Sequence, residues 1–335
     1  MRDPRGFWDA LAGDGTPAIK LTAVALVLSG AFALFLCAVH QFLPHDIAYL
    51  GMSAEEVCAL NGCRVAAFMF HDRASFGGAL IAIGLLWLWI AEFPLRQRQA
   101  WAWWALAVSG TLGFLSFLAY LGYGYLDGWH GVATLFLLPC WVLGMWRVFP
   151  TLEGPRGPAT LLRPAVSAGL RTRYGAGRAL MMATAGGMLA GGSAILVLGM
   201  TAVFVPQDLH FMGITREALA AINPRLIPLI AHDRAGFGGA LVCCAASVAA
   251  CAWCGTPGRA LWQALAMAGT FGFGCAFGVH LVVGYVDATH LAPAAAGTVL
   301  FAAAAVTLWR PMVAARAETG RTRVTGAAPP ASAGA

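Results

Sequence analysis

The chain has 335 residues, of which 59% are apolar and only 11% charged, and its mean hydropathy is +0.72. A soluble domain draws on about 25% charged residues to cover its surface, so this composition excludes an ordinary water-facing exterior. The net charge of +6 does not point to nucleic acid, because Lys and Arg gather between apolar runs and at the tail without interleaved aromatic rings; anionic lipid and the positive-inside rule explain that placement.

From the start, Met1–Lys20 is polar and carries acids as well as Arg2, Arg5 and Lys20. No clean small-residue cleavage site accompanies the first apolar run, which reads as a retained helix. Apolar runs at 21–43, 74–92, 101–122, 131–149, 180–205, 235–254, 261–283 and 291–309 are close to the roughly 20 residues that cross about 30 Å of hydrocarbon. Trp101, Trp103, Trp104, Tyr123, Tyr125 and Trp129 sit near run ends, where such rings settle at headgroup level. The expected fold class is all-α: a polytopic membrane protein of eight transmembrane helices in a tandem parallel 4+4 repeat. Residues 1–149 form the first four-helix membrane repeat, 150–179 a cytoplasmic linker, 180–311 the second repeat, and 312–335 a Pro-rich cytoplasmic tail expected to be disordered.

Self-similarity at an offset near 160 carries the repeat. Phe42–Glu56 (FLPHDIAYLGMSAEE) matches Phe204–Ala218 (FVPQDLHFMGITREA), and HDRASFGGAL from His71 matches HDRAGFGGAL from His232. SGTLGF from Ser109 then matches AGTFGF from Ala268, and GYLDGWH from Gly124 matches GYVDATH from Gly284. Four matches in one order indicate duplication, and a unit of four spans returns to its starting side, so the halves share one orientation.

Among the repeated polar residues, Ser53 and Glu56 have the spacing of a capping box, and Thr215 can cap the matching helix although Ala218 has no carboxylate to reciprocate. His71, Asp72 and Arg73, repeated as His232, Asp233 and Arg234, admit two readings. Arg73 and Arg234 could snorkel to headgroups while Asp72 and Asp233 cap the next helix, or the triplets could form a shared polar site with Asp–Arg pairing. A helix from Val65 would run about 42 Å, longer than the hydrocarbon, so it either protrudes or bends at the triplet; Pro228 favours an irregular start in the second half. The paired glycines after each triplet read as helix-packing positions.

Asp127 and His130, repeated as Asp287 and His290, are three apart and share a helical face. With His71 and Asp72 each half could assemble two histidines and two carboxylates, a donor set for zinc, iron or manganese. Haem is a second cofactor option through His40, His280, His71 or His232, but His40 aligns with Ala202 and His280 with Tyr120, so the halves share no ligand pair there. Cys58 and Cys63 can close a local disulfide; Ala220 and Arg225 replace them in the second half. Cys251 and Cys254 have redox-motif spacing but end a membrane helix, and the other cysteines of the apolar spans read as packing residues.

These features favour, in order, a transporter or channel for a small polar or ionic solute, a membrane-embedded metal-dependent or redox enzyme acting on a lipid or quinone, and an assembly or sensory protein. Membrane lipids are the expected partners, with no nucleic acid, and the expected location is the inner (plasma) membrane. Sixteen of the 21 basic residues but six of the 15 acids fall on the side shared by both termini, which assigns that side to the cytoplasm. Cysteine labels placed after residues 20, 165 and 320 should therefore all be shielded in intact cells. Labelling of any of them from outside would contradict the eight-span topology.

Overall fold

The computed structural model describes residues 6, 13–118, 121, 125 and 128–314, without the side chains of 128–130. Twelve α-helices of seven or more residues follow in chain order among them. They are α1 (Thr16–Ala38), α2 (Pro44–Leu50), α3 (Ala54–Leu60), α4 (Arg64–Ile90), α5 (Ala100–Phe117), α6 (Gly128–Val148), α7 (Arg173–Met200), α8 (Pro206–Met212), α9 (Arg216–Ile222), α10 (Leu226–Cys254), α11 (Arg259–Val283) and α12 (Ala288–Trp309). Eight are long and apolar enough to cross a membrane, so the chain is an all-α bundle consistent with a membrane-spanning fold. Leu28, Leu135, Val282, Val299 and Val306 are each more than half exposed, at 64%, 78%, 84%, 68% and 72%. Apolar faces so bare suit acyl chains and not water.

Several boundaries differ from the sequence reading. The first span starts at Thr16 with Pro17 in its first turn, where a missing N–H costs nothing, and ends at Ala38. His40 therefore lies past the helix, in the left-handed region at φ 53, and not inside an apolar span. α4 and α10 run unbroken through the HDR triplets, so neither triplet marks a bend or caps a helix. Pro228 sits in the first turn of α10, where it interrupts no hydrogen bond, and so causes no irregularity. The fifth span begins at Arg173, inside the expected linker. The tail from 315 onward lies outside the described residues.

α4 and α10 lie at the centre and pack on each other. Each packs on the first span of its own half, α1 on α4 and α7 on α10, and each also packs on the third span of the other half, α11 on α4 and α5 on α10. The glycine pairs permit both contacts. A Cβ at Gly77 would stand 2.9 Å from the Gly30 carbonyl of α1, and one at Gly78 would stand 2.9 Å from the Phe271 carbonyl of α11. Gly238 meets the Gly192 carbonyl of α7 at 2.8 Å in the same sense, while a Cβ on Gly239 would collide with Ser116 of α5. In lipid, where apolar association has little solvent drive, such close backbone approach supplies the van der Waals contact that holds helices together.

The short helices α2, α3, α8 and α9 cap one end of the bundle, called the loop end below; the other is the linker end. The caps grip each other across the halves: the Asn61 amide donates to the Met212 carbonyl, and the Asn223 amide to the Leu50 carbonyl at 2.9 Å. Ser53 and Glu56 form the expected capping box at 3.2 and 2.7 Å, and Thr215 caps α9 through the Ala218 N–H at 3.2 Å. Cys58 and Cys63 are disulfide-bonded.

Leucine at Gly78 or Gly239 should wedge a third span away and cost about 1–3 kcal/mol, whereas leucine at Gly186, which faces open space, should be tolerated. Thermal melting of the three variants in detergent checks this; equal melting temperatures would contradict the packing.

Candidate functional site

Along α4 an apolar stretch, Val65–Phe70, gives way to buried His71, Asp72 and Arg73 before the apolar core resumes at Ala79. The matching Asp233 and Arg234 of α10 are buried at the same level, and two acids from the cap join them. Asp46 and Asp208 each follow a Pro that opens α2 or α8, and each accepts the N–H that precedes the helix, from Leu43 at 3.3 Å and Val205 at 2.8 Å. The backbone thus pins each carboxylate at a helix start and turns its free oxygen inward.

The charges pair reciprocally across the halves. Arg73 contacts Asp46 of its own half at 2.7 Å and Asp233 of the other at 2.9 Å. Arg234 contacts Asp208 of its own half and Asp72 of the other at 3.2 Å, and it also donates to the Val203 carbonyl at 2.7 Å. The Tyr125 hydroxyl donates to Asp46 at 2.5 Å and the Tyr285 hydroxyl to Asp208 at 2.8 Å. Burial and the Asp208 carboxylate push the Tyr285 phenol up, which keeps it a donor. His71 bonds Asp72 at 3.0 Å and His232 bonds Asp233 at 3.0 Å. Four buried carboxylates face two guanidinium groups, so the layer is formally two negative charges in excess before its histidines are considered.

Beside Arg234 three histidines gather. His71, His280 and His290 come together so that one ring nitrogen of each lies within 4.8 Å of the others, and these three could hold a metal ion. The Nδ1 of His280 lies 2.7 Å from the Ala276 carbonyl, and the Nδ1 of His71 lies 3.0 Å from Asp72. A carbonyl and a carboxylate can only accept, so both Nδ1 atoms carry hydrogen and both Nε2 atoms of the neutral rings present lone pairs. Those two Nε2 atoms face each other at 3.1 Å. Two lone pairs at that distance repel unless a cation, a proton or a metal, stands against them. His290 stacks on Tyr285 with ring centres 4.2 Å apart, and its Nδ1 lies 3.8 Å from Asp208. Arg234 grips both Asp72 and Asp208, the carboxylates beside His71 and His290.

The expected set of two histidines and two carboxylates from one half does not form in the second half. His290 approaches His71 of the first half, and Asp287 stays exposed as the cap of α12, accepting from the N–H groups of Thr289 at 3.0 Å and His290 at 2.9 Å. The Thr289 hydroxyl and those N–H groups hold the Asp287 carboxyl below the usual carboxylate range. Asp127 lies outside the described residues, as does the His130 side chain. Asp46, Asp208, Tyr125 and Tyr285 join the site although the sequence marks them only as matched positions inside the repeated segments; His280 joins it although Tyr120 stands opposite it.

Comparison with family models, with curated proteins and with solved structures finds no match.

Removing one member of a buried charged pair strands the other in low dielectric and costs about 3–5 kcal/mol, against about 0–1 for an exposed pair. Asp72→Asn, Asp233→Asn, Arg73→Gln and Arg234→Gln should each lower the melting temperature clearly. Four unchanged melting curves would contradict the buried layer.

Proposed function

We propose that this chain is a membrane-embedded metalloprotein, a metal-dependent or redox enzyme acting on a lipid-soluble substrate such as a lipid or quinone, with His71, His280 and His290 as ligands. The Nε2 atoms of His71 and His280, which face each other at 3.1 Å and both present lone pairs when the rings are neutral, carry the reading. The formal negative excess of the surrounding layer also favours a cation there. Three imidazoles suit zinc, copper or iron(II), and three protein ligands leave a coordination position open, the mark of catalytic and not structural sites. Fixed Nδ1 partners pre-orient the rings, which suits a resident ion better than a cargo that must be released. The spacing is short for axial ligation on two faces of a haem, where two iron–nitrogen bonds of about 2 Å would separate the atoms by about 4 Å.

The wider frame is the parallel duplication read from the sequence, with the loop end outside and both termini in the cytoplasm. The Cys58–Cys63 disulfide fits an oxidising outer compartment. Solute transport has less support, because each HDR acid and arginine already has a buried partner.

Protein purified without chelator should carry one transition-metal ion per chain by elemental analysis. His280→Ala and His290→Ala should lose it, and His232→Ala should retain it. Metal-free wild-type protein that also fails to take up zinc, copper or iron(II) would contradict the proposal, as would equal loading of all variants.

A further inference from the structure

Residues 150–172, which join the halves at the linker end, are held along their length by hydrogen bonds from both halves. From the first half, the Trp104 indole of α5 donates to the Arg156 carbonyl at 2.7 Å, and the Arg98 carbonyl accepts the Glu153 N–H at 3.0 Å. From the second, the Trp253 indole of α10 donates to the Leu162 carbonyl at 3.1 Å, and the Trp253 carbonyl accepts the Ala165 N–H at 3.0 Å. The buried Arg178 guanidinium of α7, 4.8 Å over the Trp253 ring, donates to the carbonyls of Val166 at 2.5 Å and Ala168 at 3.1 Å. The connection is therefore a fixed strap and not a loose linker. Trp104 near the start of α5 and Trp253 at the end of α10 are at the ends of membrane-length helices, the level where such rings meet headgroups, and the strap is bonded to both.

With those carbonyls turned in, the strap leaves aliphatic side chains outside. Leu162 is 77% exposed, Val166 40% and Leu170 72%. In water they forfeit the stabilisation that burial gives an apolar side chain. Exposed arginines are interleaved with them: Arg163 follows Leu162, and Arg171 and Arg173 follow Leu170. Between residues 150 and 178 the sequence has one acid, Glu153, and it contacts Arg98 at 3.4 Å. Arg171 and Arg173 flank Thr172, the N-cap of α7, where the helix dipole disfavours a cation. Their placement works against the helix and in favour of an anion outside it.

Aliphatic and basic side chains on one rigid segment, at the level of the span ends, match the headgroup layer of an anionic leaflet. We propose that the strap docks on that layer, with Leu162, Val166 and Leu170 seated at the acyl boundary and Arg163, Arg171 and Arg173 against lipid phosphates. Apolar insertion and basic charge are the two terms that hold an interfacial segment in place, and neither needs a pocket. Because the strap is bonded to both halves, it fixes their common depth in the bilayer. The inference goes beyond the metal site and does not depend on it.

Full-length protein carrying a fluorescent amino acid in place of Leu162, Val166 or Leu170 is reconstituted into nanodiscs of phosphatidylcholine, with or without phosphatidylglycerol. Quenching by nitroxide-labelled lipid reports contact with the bilayer, and quenching by iodide reports contact with water. In the anionic discs all three probes should be quenched by the lipid and shielded from iodide, with lipid quenching about two-fold stronger than in phosphatidylcholine alone. Arg163→Gln/Arg171→Gln should remove most of that anionic excess. Arg259→Gln/Arg310→Gln takes the same charge from exposed positions at the same end but outside the strap, and should keep it. Free access of iodide to all three probes would overturn the docking and leave the aliphatic face to a protein partner. Equal lipid quenching in the two kinds of disc, or equal losses in the two double variants, would overturn the assignment to anionic lipid.

Discussion

A guanidinium and a carboxylate taken out of water each lose several kcal/mol of hydration, and only close, complete pairing restores it. In this bundle that pairing runs between the halves: Arg73 reaches Asp233 while Arg234 reaches Asp72. Arg73 and Arg234 each also hold an acid of their own half, but Asp72 and Asp233 meet their arginine across the halves, so docking of the two halves and burial of those acids become one event. The same reciprocity recurs in the caps, where Asn61 and Asn223 each bond the backbone of the opposite half, and in the glycine pairs, where one residue faces the half's own first span and its neighbour the other half's third. Charge satisfaction, cap closure and close backbone approach all select one arrangement of α4 against α10.

The layer is not symmetric in its chemistry. Arg73 and Arg234 hold matching carboxylates, and Tyr125 and Tyr285 donate to matching acids, while beside Arg234 a third-span histidine, His280, meets the HDR histidine at a position where the first half's sequence has Tyr120. The paired layer can serve stability on both sides while His71, His280 and His290 form a group that could hold a cation. Arg234 then does two things: it neutralises charge, and it fixes Asp72, which fixes the His71 ring. It is a positioning residue for any ion held there.

How much could be read beforehand follows from which positions repeat. Span number, the disulfide and the helix caps follow from local spacing and hydropathy, signals that need no tertiary partner. The HDR triplets were visible as matched residues, but their depth was not. A polar triplet between apolar runs looks the same whether it ends a helix or is buried within one, and the partners that allow burial, Asp46 and Asp208, lie about 25 residues upstream of each triplet in separate short helices. His280 was hidden for a different reason: matching the halves to each other reveals what they share, and the cluster rests on a residue they do not share. The exchange of third spans between halves, which brings His280 to His71, is a tertiary choice with no local signature.

X-ray absorption at the edge of the copurified or reconstituted metal tests the central claim most directly, since it reports the donors themselves. Three imidazole nitrogens at about 2.0–2.1 Å, lost in His280→Ala, are the expected result. A sulfur-dominated or carboxylate-only shell, or a spectrum unchanged by that substitution, would contradict it.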